Sequence, residues 1–190
     1  MYTAVLDTCA LVPSLQRDLL LQLAAERAYA PRWGTGILFE LDYVLERIDR
    51  KRGVEQAPSD RYRVRLFEQM HKAFPGATVN APKDGSYTYA LNDLHDGHVA
   101  HTAIIGKADA IVTNDGRAGF RTSHVLLEAN IETVHPIEFA TNTVAAHPEA
   151  GVSALQEIAS RRSTTPTDIL DDLRDGYRMT GVDEILRPLL

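Results

Sequence analysis

The residues with the clearest capacity for chemistry are acidic and far apart along the chain. Asp7 closes the apolar run TAVL, and Asp115 stands just past the apolar run AIV. Asp96 opens the helical segment that feeds the second of these runs. Glu40 lies one turn inside another helical segment, beside an apolar face carrying Ile37, Leu41 and Val44. Singly, each has an ordinary explanation: Asp7 begins a turn, Asp96 caps a helix, Glu40 is a surface residue, and Asp115 belongs to a loop made flexible by Gly116 and Gly119. As a set they suggest more, because ligands of open parallel sheets sit outside the carboxyl ends of the strands. Carboxylates gathered there repel, and one must protonate unless a cation intervenes. Mg²⁺ or Mn²⁺ answers that need, since hard divalent ions prefer oxygen ligands. Such an ion can activate water, orient a phosphodiester and stabilise the leaving oxygen. The pattern therefore points to metal-assisted phosphoryl chemistry.

The elements that must position these acids alternate between strand and helix. Strands are expected at Thr3–Leu6, before Trp33, at Ala77–Val79, at Ala110–Val112 and at Glu132–Val134. Helices are expected at Asp18–Arg27, from a Thr35 cap to about Asp49, from Ser59-Asp60 to Phe74, from an Asp96 cap through Ile105, at Ser123–Ala129 and at Pro136–Ala146. This alternation predicts an α/β domain with a central parallel sheet and helices on both faces. After His147-Pro148 the strands stop, and helical patterns follow at Ala150–Ser160, Asp168–Gly176 and Val182–Leu190. We expect a main domain over residues 1–147 and a small helical C-terminal extension over 148–190. The extension could shape a substrate groove, pair protomers in a homodimer, or contact a partner.

Composition narrows the setting. A chain of 190 residues suits one domain with a small extension. The single cysteine, Cys9, excludes an intramolecular disulfide and fits a reducing compartment. The opening MYTAVLDTCALVP has no basic leader, and no stretch reaches the roughly 20 apolar residues of a membrane span. A cytoplasmic protein with no membrane partner is expected. The net charge of −6 has the wrong sign for a general phosphate binder. Arg47, Arg50, Lys51 and Arg52 nevertheless cluster, and Arg61, Arg63 and Arg65 follow. They form either a solvated helix face or a local basic patch near the acidic site.

Four quoted segments resemble, in combination, the PIN-domain ribonucleases found as VapC toxins in bacterial toxin–antitoxin pairs. They are VLDTCALVPSLQRDLLLQLA (Val5–Ala24), PRWGTGILFEL (Pro31–Leu41), LNDLHDGHVAHTAIIGKADAIVTNDGRAGF (Leu91–Phe120) and VHPIEFA (Val134–Ala140). The resemblance implies a PIN-like three-layer fold with its acidic site on Asp7, Glu40, Asp96 and Asp115. Asp93, one turn before Asp96, could add a metal contact, and Thr113 matches a small hydroxyl residue common before the last acid. It further implies an Mg²⁺- or Mn²⁺-dependent endoribonuclease that hydrolyses phosphodiesters without a covalent intermediate. RNA such as tRNA would be the substrate and a cognate antitoxin the partner. Arg47, Arg50, Lys51 and Arg52 are candidates for backbone contacts, with Thr113 and His98 beside the substrate. Cys9 departs from the Ser or Asn common at its position and reads as a small buried residue.

Other signals carry less. His95, His98 and His101 recur every third residue, but residues six apart drift off one helix face, so surface or groove positions are expected rather than a zinc site. Gly106-Lys107 lacks the rest of a phosphate loop. Cys9 lacks a partnered histidine, and it stands where a haloacid-dehalogenase-like phosphatase would need an aspartate. Trp33 is expected in the core, and Tyr62, Tyr87 and Tyr89 could pack or stack on bases. The alternatives to an endoribonuclease are a non-catalytic PIN scaffold binding RNA or protein, and a metal phosphohydrolase acting on small phosphoesters.

Overall fold

The computed structural model describes all of residues 1–190. Strands β1 (Thr3–Leu6), β2 (Ala30–Gly34), β3 (Thr78–Val79), β4 (Ala110–Val112) and β5 (Glu132–Val134) form one five-stranded parallel sheet in the order β3-β2-β1-β4-β5. Helices α1 (Thr8–Leu11) and α2 (Ser14–Ala25) join β1 to β2, and α3 (Thr35–Lys51) and α4 (Gln56–Ala73) join β2 to β3. Helix α5 (Gly97–Ile105) precedes β4, and α6 (His124–Glu128) lies between β4 and β5. The chain ends in α7 (Pro136–Ala146), α8 (Pro148–Arg162), α9 (Pro166–Tyr177) and α10 (Thr180–Leu186). This is the three-layer α/β arrangement expected from the alternation.

The strand order follows from burial. The apolar stretches of β1 and β4 lie at the centre and are buried along nearly their whole length, as strands covered on both faces must be. At the edges, β3 is only two residues long and β5 begins with the exposed Glu132. Short, polar edges limit pairing with other chains. From β1 the chain builds outward to β3, then returns to lay β4 on the other side of β1. That reversal opens a crevice at the carboxyl ends of β1 and β4, where ligands of such sheets bind. The register pairs Leu6 with Val112, so Asp7 and Thr113 emerge side by side at the rim. The Asp7 N–H still donates to the Val112 carbonyl at 3.1 Å, which fixes the rim as firmly as the sheet itself.

Several boundaries shift for identifiable reasons. Helix α3 follows Gly34, and the Thr35 hydroxyl accepts the Ala81 N–H at 3.1 Å instead of capping the helix. Helix α4 starts at Gln56, before Ser59, because Pro58 is compatible with a first helical turn. Ser59 then turns inward and donates to Asp49 at 2.6 Å. Proline at the first position likewise advances α8 to Pro148 and α9 to Pro166, where Thr165 and Asp168 make a capping box.

Trp33 is buried as expected, its indole N–H donating to the Thr78 hydroxyl at 3.0 Å. Tyr29 is buried too, with its hydroxyl on the Leu20 carbonyl at 2.8 Å. Buried aromatic polar atoms are thus partnered, as their desolvation requires. The helices after residue 148 join the same hydrophobic core through Leu155, Ile158, Ile169, Leu170, Leu173 and Leu186. No helix is long and apolar enough to cross a membrane.

Candidate active site

Asp7 leaves β1 in extended conformation and enters the single turn of α1. One carboxylate oxygen accepts the Thr8 N–H at 2.6 Å. The other accepts the Thr113 hydroxyl at 2.6 Å and the Cys9 thiol at 3.2 Å. Only 7% of Asp7 is exposed. Burial pushes its carboxyl above the usual range, the three donors pull it back, and Glu40 adds repulsion. Thr113, expected beside the substrate, is instead 4% exposed. Its hydroxyl sits between two acids, donating to Asp7 and accepting the Asp115 N–H at 3.0 Å. Burial, then the charge of Asp7, raises the Cys9 thiol to about 12, which keeps it protonated and unfit as a nucleophile.

Glu40 projects from the second turn of α3 toward α1 and α5. The Lys83 ammonium pairs with one of its oxygens. The other accepts the Thr8 hydroxyl at 3.0 Å and faces His98 Nε2 at 3.2 Å. Burial alone would raise this carboxyl, but the hydrogen bonds from His98 and Lys83 prevail and bring it down to about 2. His98 was expected at the surface or against a phosphate, and here the structure corrects the reading. Its ring is 0% exposed, with Nδ1 at 3.0 Å from the His95 carbonyl. The absence of a side chain at Gly36 makes room for it, since a Cβ there would stand 2.7 Å from His98 Cδ2. His101 turns away to Tyr89, whose hydroxyl is 2.6 Å from Nδ1, so the three histidines do not converge.

The cap expected of Asp96 is made instead by Asp93, one short turn earlier. Asp96 occupies the N-cap position of α5 but makes no side-chain cap bond. A short 3₁₀ turn precedes the helix, and Asp93 caps that turn by accepting the His95 N–H at 2.9 Å. The capping Asp93 is therefore spent on its own backbone, while the Asp96 carboxylate is left for the cleft. Burial, then repulsion from Asp7 and Asp93, raises Asp96 to about 6. Asp115 contributes to the same push, and Lys83 opposes it.

Asp115 is exposed, and one of its oxygens accepts the Arg117 and Ala118 N–H groups at 2.7 and 3.2 Å. This side-chain turn orders the loop that the glycines suggested was loose. Gly119 has a left-handed φ of 83° and abuts Asn92, so it serves a turn and a close approach rather than flexibility. The other Asp115 oxygen is not engaged by this turn.

Asp7, Glu40, Asp96 and Asp115 all line one open cleft of about 810 Å³. Their donor atoms are all oxygens, which suits Mg²⁺ or Mn²⁺, and the Asp96 carboxyl is raised by burial first and then by acidic neighbours whose repulsion a cation would relieve. The expected ligand set is nevertheless not assembled: no group of three acidic, histidine or cysteine side chains stands close enough to hold one ion. Glu40 is already paired with Lys83, and one Asp93 oxygen is taken by its cap. The acids share a cleft without sharing a coordination sphere in this arrangement.

Around the cleft, Tyr43 lies one turn beyond Glu40 and is 57% exposed. Arg47 follows on the same helix face, about 10 Å along the axis from Glu40. Arg47, Arg50, Lys51 and Arg52 are all exposed, with Arg50 paired to Glu46. Arg63 instead turns inward onto Asp42 and Asp60 at 2.8 and 2.6 Å, so the second basic run is partly structural. Tyr43, Arg117 and Lys83 escaped the sequence reading. The spacing of Tyr43 and Arg47 from Glu40 at three and seven residues was a usable helical signal. Lys83 had none, because it arrives from the loop after β3.

A family model described as "PIN domain" matches residues 3–117, a span that includes every acid lining the cleft. No curated protein and no solved structure matches the chain.

Proposed function

Because the chain belongs to the PIN-domain family, whose members are in general nucleases, we propose that it is a divalent-metal-dependent endoribonuclease. The observation that carries this reading is that Asp7, Glu40, Asp96 and Asp115 line one cleft at the strand-order reversal, with Asp96 raised to about 6 by burial and then by the charges of Asp7 and Asp93. Asp7, Asp96 and Asp115 would hold Mg²⁺ or Mn²⁺, with Glu40 bordering the site. The ion, when bound, supplies an activated water and charge stabilisation at the phosphodiester.

The remaining roles belong to the chain's own groups. Thr113 and Thr8 orient Asp7, and the Asp115 turn engages one oxygen and leaves the other available. Tyr43 offers an exposed ring beside the acids on which an unpaired base can stack. Arg47, Arg50, Lys51 and Arg52 continue along α3 as contacts to successive phosphates. The substrate we propose is RNA such as tRNA, and the setting a VapC-like toxin held by a cognate antitoxin. The helical extension over 148–190 is proposed as a surface for that partner or for a second copy.

The paired Glu40 and the unassembled ligand set favour one competing reading, a PIN scaffold that binds RNA without cutting it. Incubating the purified chain with labelled tRNA and Mn²⁺, with and without chelator, separates the two. Endonucleolytic fragments that vanish with chelator and in Asp7→Asn support the enzyme. Binding without fragments supports the scaffold, and cleavage confined to a chromogenic phosphate ester supports a phosphohydrolase.

A further inference from the structure

We propose that Lys83 is the cleft's built-in second cation, so that the site takes one divalent ion rather than two. The inference rests on the metal-dependent reading above and concerns a residue that reading does not require.

Lys83 is placed with unusual care for a loop residue. The loop after β3 runs against the first turn of α3, where the Gly36 N–H donates to the Ala81 carbonyl at 2.8 Å. A Cβ on Gly36 would stand 2.8 Å from that carbonyl oxygen and 2.9 Å from the Lys83 backbone nitrogen. This close approach delivers the Lys83 side chain to Glu40, one turn further along α3. Its ammonium then pairs with Glu40 and donates to the His95 carbonyl at 2.8 Å, which ties it also to the segment leading into Asp96. The side chain is 27% exposed, so its charge is only partly screened by water.

Charge counting shows the consequence. Asp7, Glu40, Asp96 and Asp115 bring four negative charges to the cleft. Lys83 and one divalent ion leave a net charge of about −1, whereas Lys83 and two divalent ions leave about +1, against which a second ion must bind. Without Lys83, two ions would bring the same acids to about zero. The ammonium also occupies the Glu40 oxygen that a second ion would need. With Thr8 and His98 on the other oxygen, both Glu40 oxygens already have partners.

Mn²⁺ titration of the full chain, with free Mn²⁺ followed by its electron paramagnetic resonance signal, tests the assignment. Wild type and Lys83→Arg should bind one ion per chain. Lys83→Met should bind two, the first roughly tenfold tighter than in wild type as the competing charge is lost. Lys83→Gln provides the same neutral substitution should the Met variant fold poorly. Two ions in wild type, or one ion at unchanged affinity in the neutral variants, would overturn the role of Lys83 and leave the metal site standing. No Mn²⁺ bound by any of these proteins would overturn it together with the metal-dependent reading.

Discussion

Replacing Asp96 by Asn should stabilise the metal-free protein, increasingly as pH rises above the ordinary aspartate range. The carboxyl is held at about 6 instead of its ordinary 3.8 by burial and by the charges of Asp7 and Asp93. Folded Asp96 therefore holds its proton more tightly than the unfolded chain does. Its penalty is absent below the unfolded value, grows as pH rises toward about 6, and is complete above that. At about 1.4 kcal/mol per tenfold change in proton affinity, the full penalty is roughly 3 kcal/mol. Asp96 is only half-buried, so solvent screening reduces this to about 1–1.5 kcal/mol. For a chain of this length that is a rise of roughly 2–6 °C in Tm. No cap bond is lost, because the Asp96 side chain makes none. Thermal melts in chelator near pH 8 and about pH 4.5 are the assay, with most of the gain expected only at the higher pH. A lower Tm for the variant, or an equal gain at both pH values, would refute the charge-strain reasoning.

Other perturbations separate structural from functional roles. Asp115→Asn keeps the oxygen that accepts the Arg117 and Ala118 N–H groups, so its stability should change by less than about 0.5 kcal/mol; Asp115→Ala loses that turn and should cost about 1 kcal/mol by chemical denaturation. Tyr43→Ala should leave Tm unchanged, because the ring is largely exposed, yet weaken single-stranded RNA binding by about 1–3 kcal/mol in a filter or anisotropy assay. Replacing Arg47 and Lys51 by Gln should reduce the salt dependence of RNA binding by roughly 0.7 in log–log slope per lost phosphate contact, and an unchanged slope would remove α3 from the RNA path.

Much of the architecture was legible from short apolar runs. β1, β4 and β5 are where the sequence placed them, because a buried parallel strand is little more than such a run. The proline-headed helices α8 and α9 were readable in kind but began earlier than the apolar period suggested. The acids were legible as a set because strand ends and helix starts share one rim in this topology. Their individual states were not. Whether Asp93 or Asp96 spends its carboxylate on the backbone depends on a 3₁₀ turn that composition does not specify. His98 looks like a surface residue until α3 and its Gly36 close over it. Glu40 looks like a free ligand until Lys83 arrives from a distant loop and His98 from 58 residues away. Arg63 looks like part of an outward basic run until Asp42 and Asp60 draw it in. In each case the deciding contact joins segments that local pattern treats separately.

The central claim is that carboxylates from distant segments hold a divalent ion in the cleft between β1 and β4. A crystal grown with Mn²⁺ and measured for anomalous scattering tests it most directly. We expect a peak in the cleft bonded to Asp7 and Asp96 at about 2.1 Å, the length usual for small hard cations on oxygen. An empty cleft at saturating Mn²⁺, or a peak only at surface carboxylates elsewhere, would contradict the account.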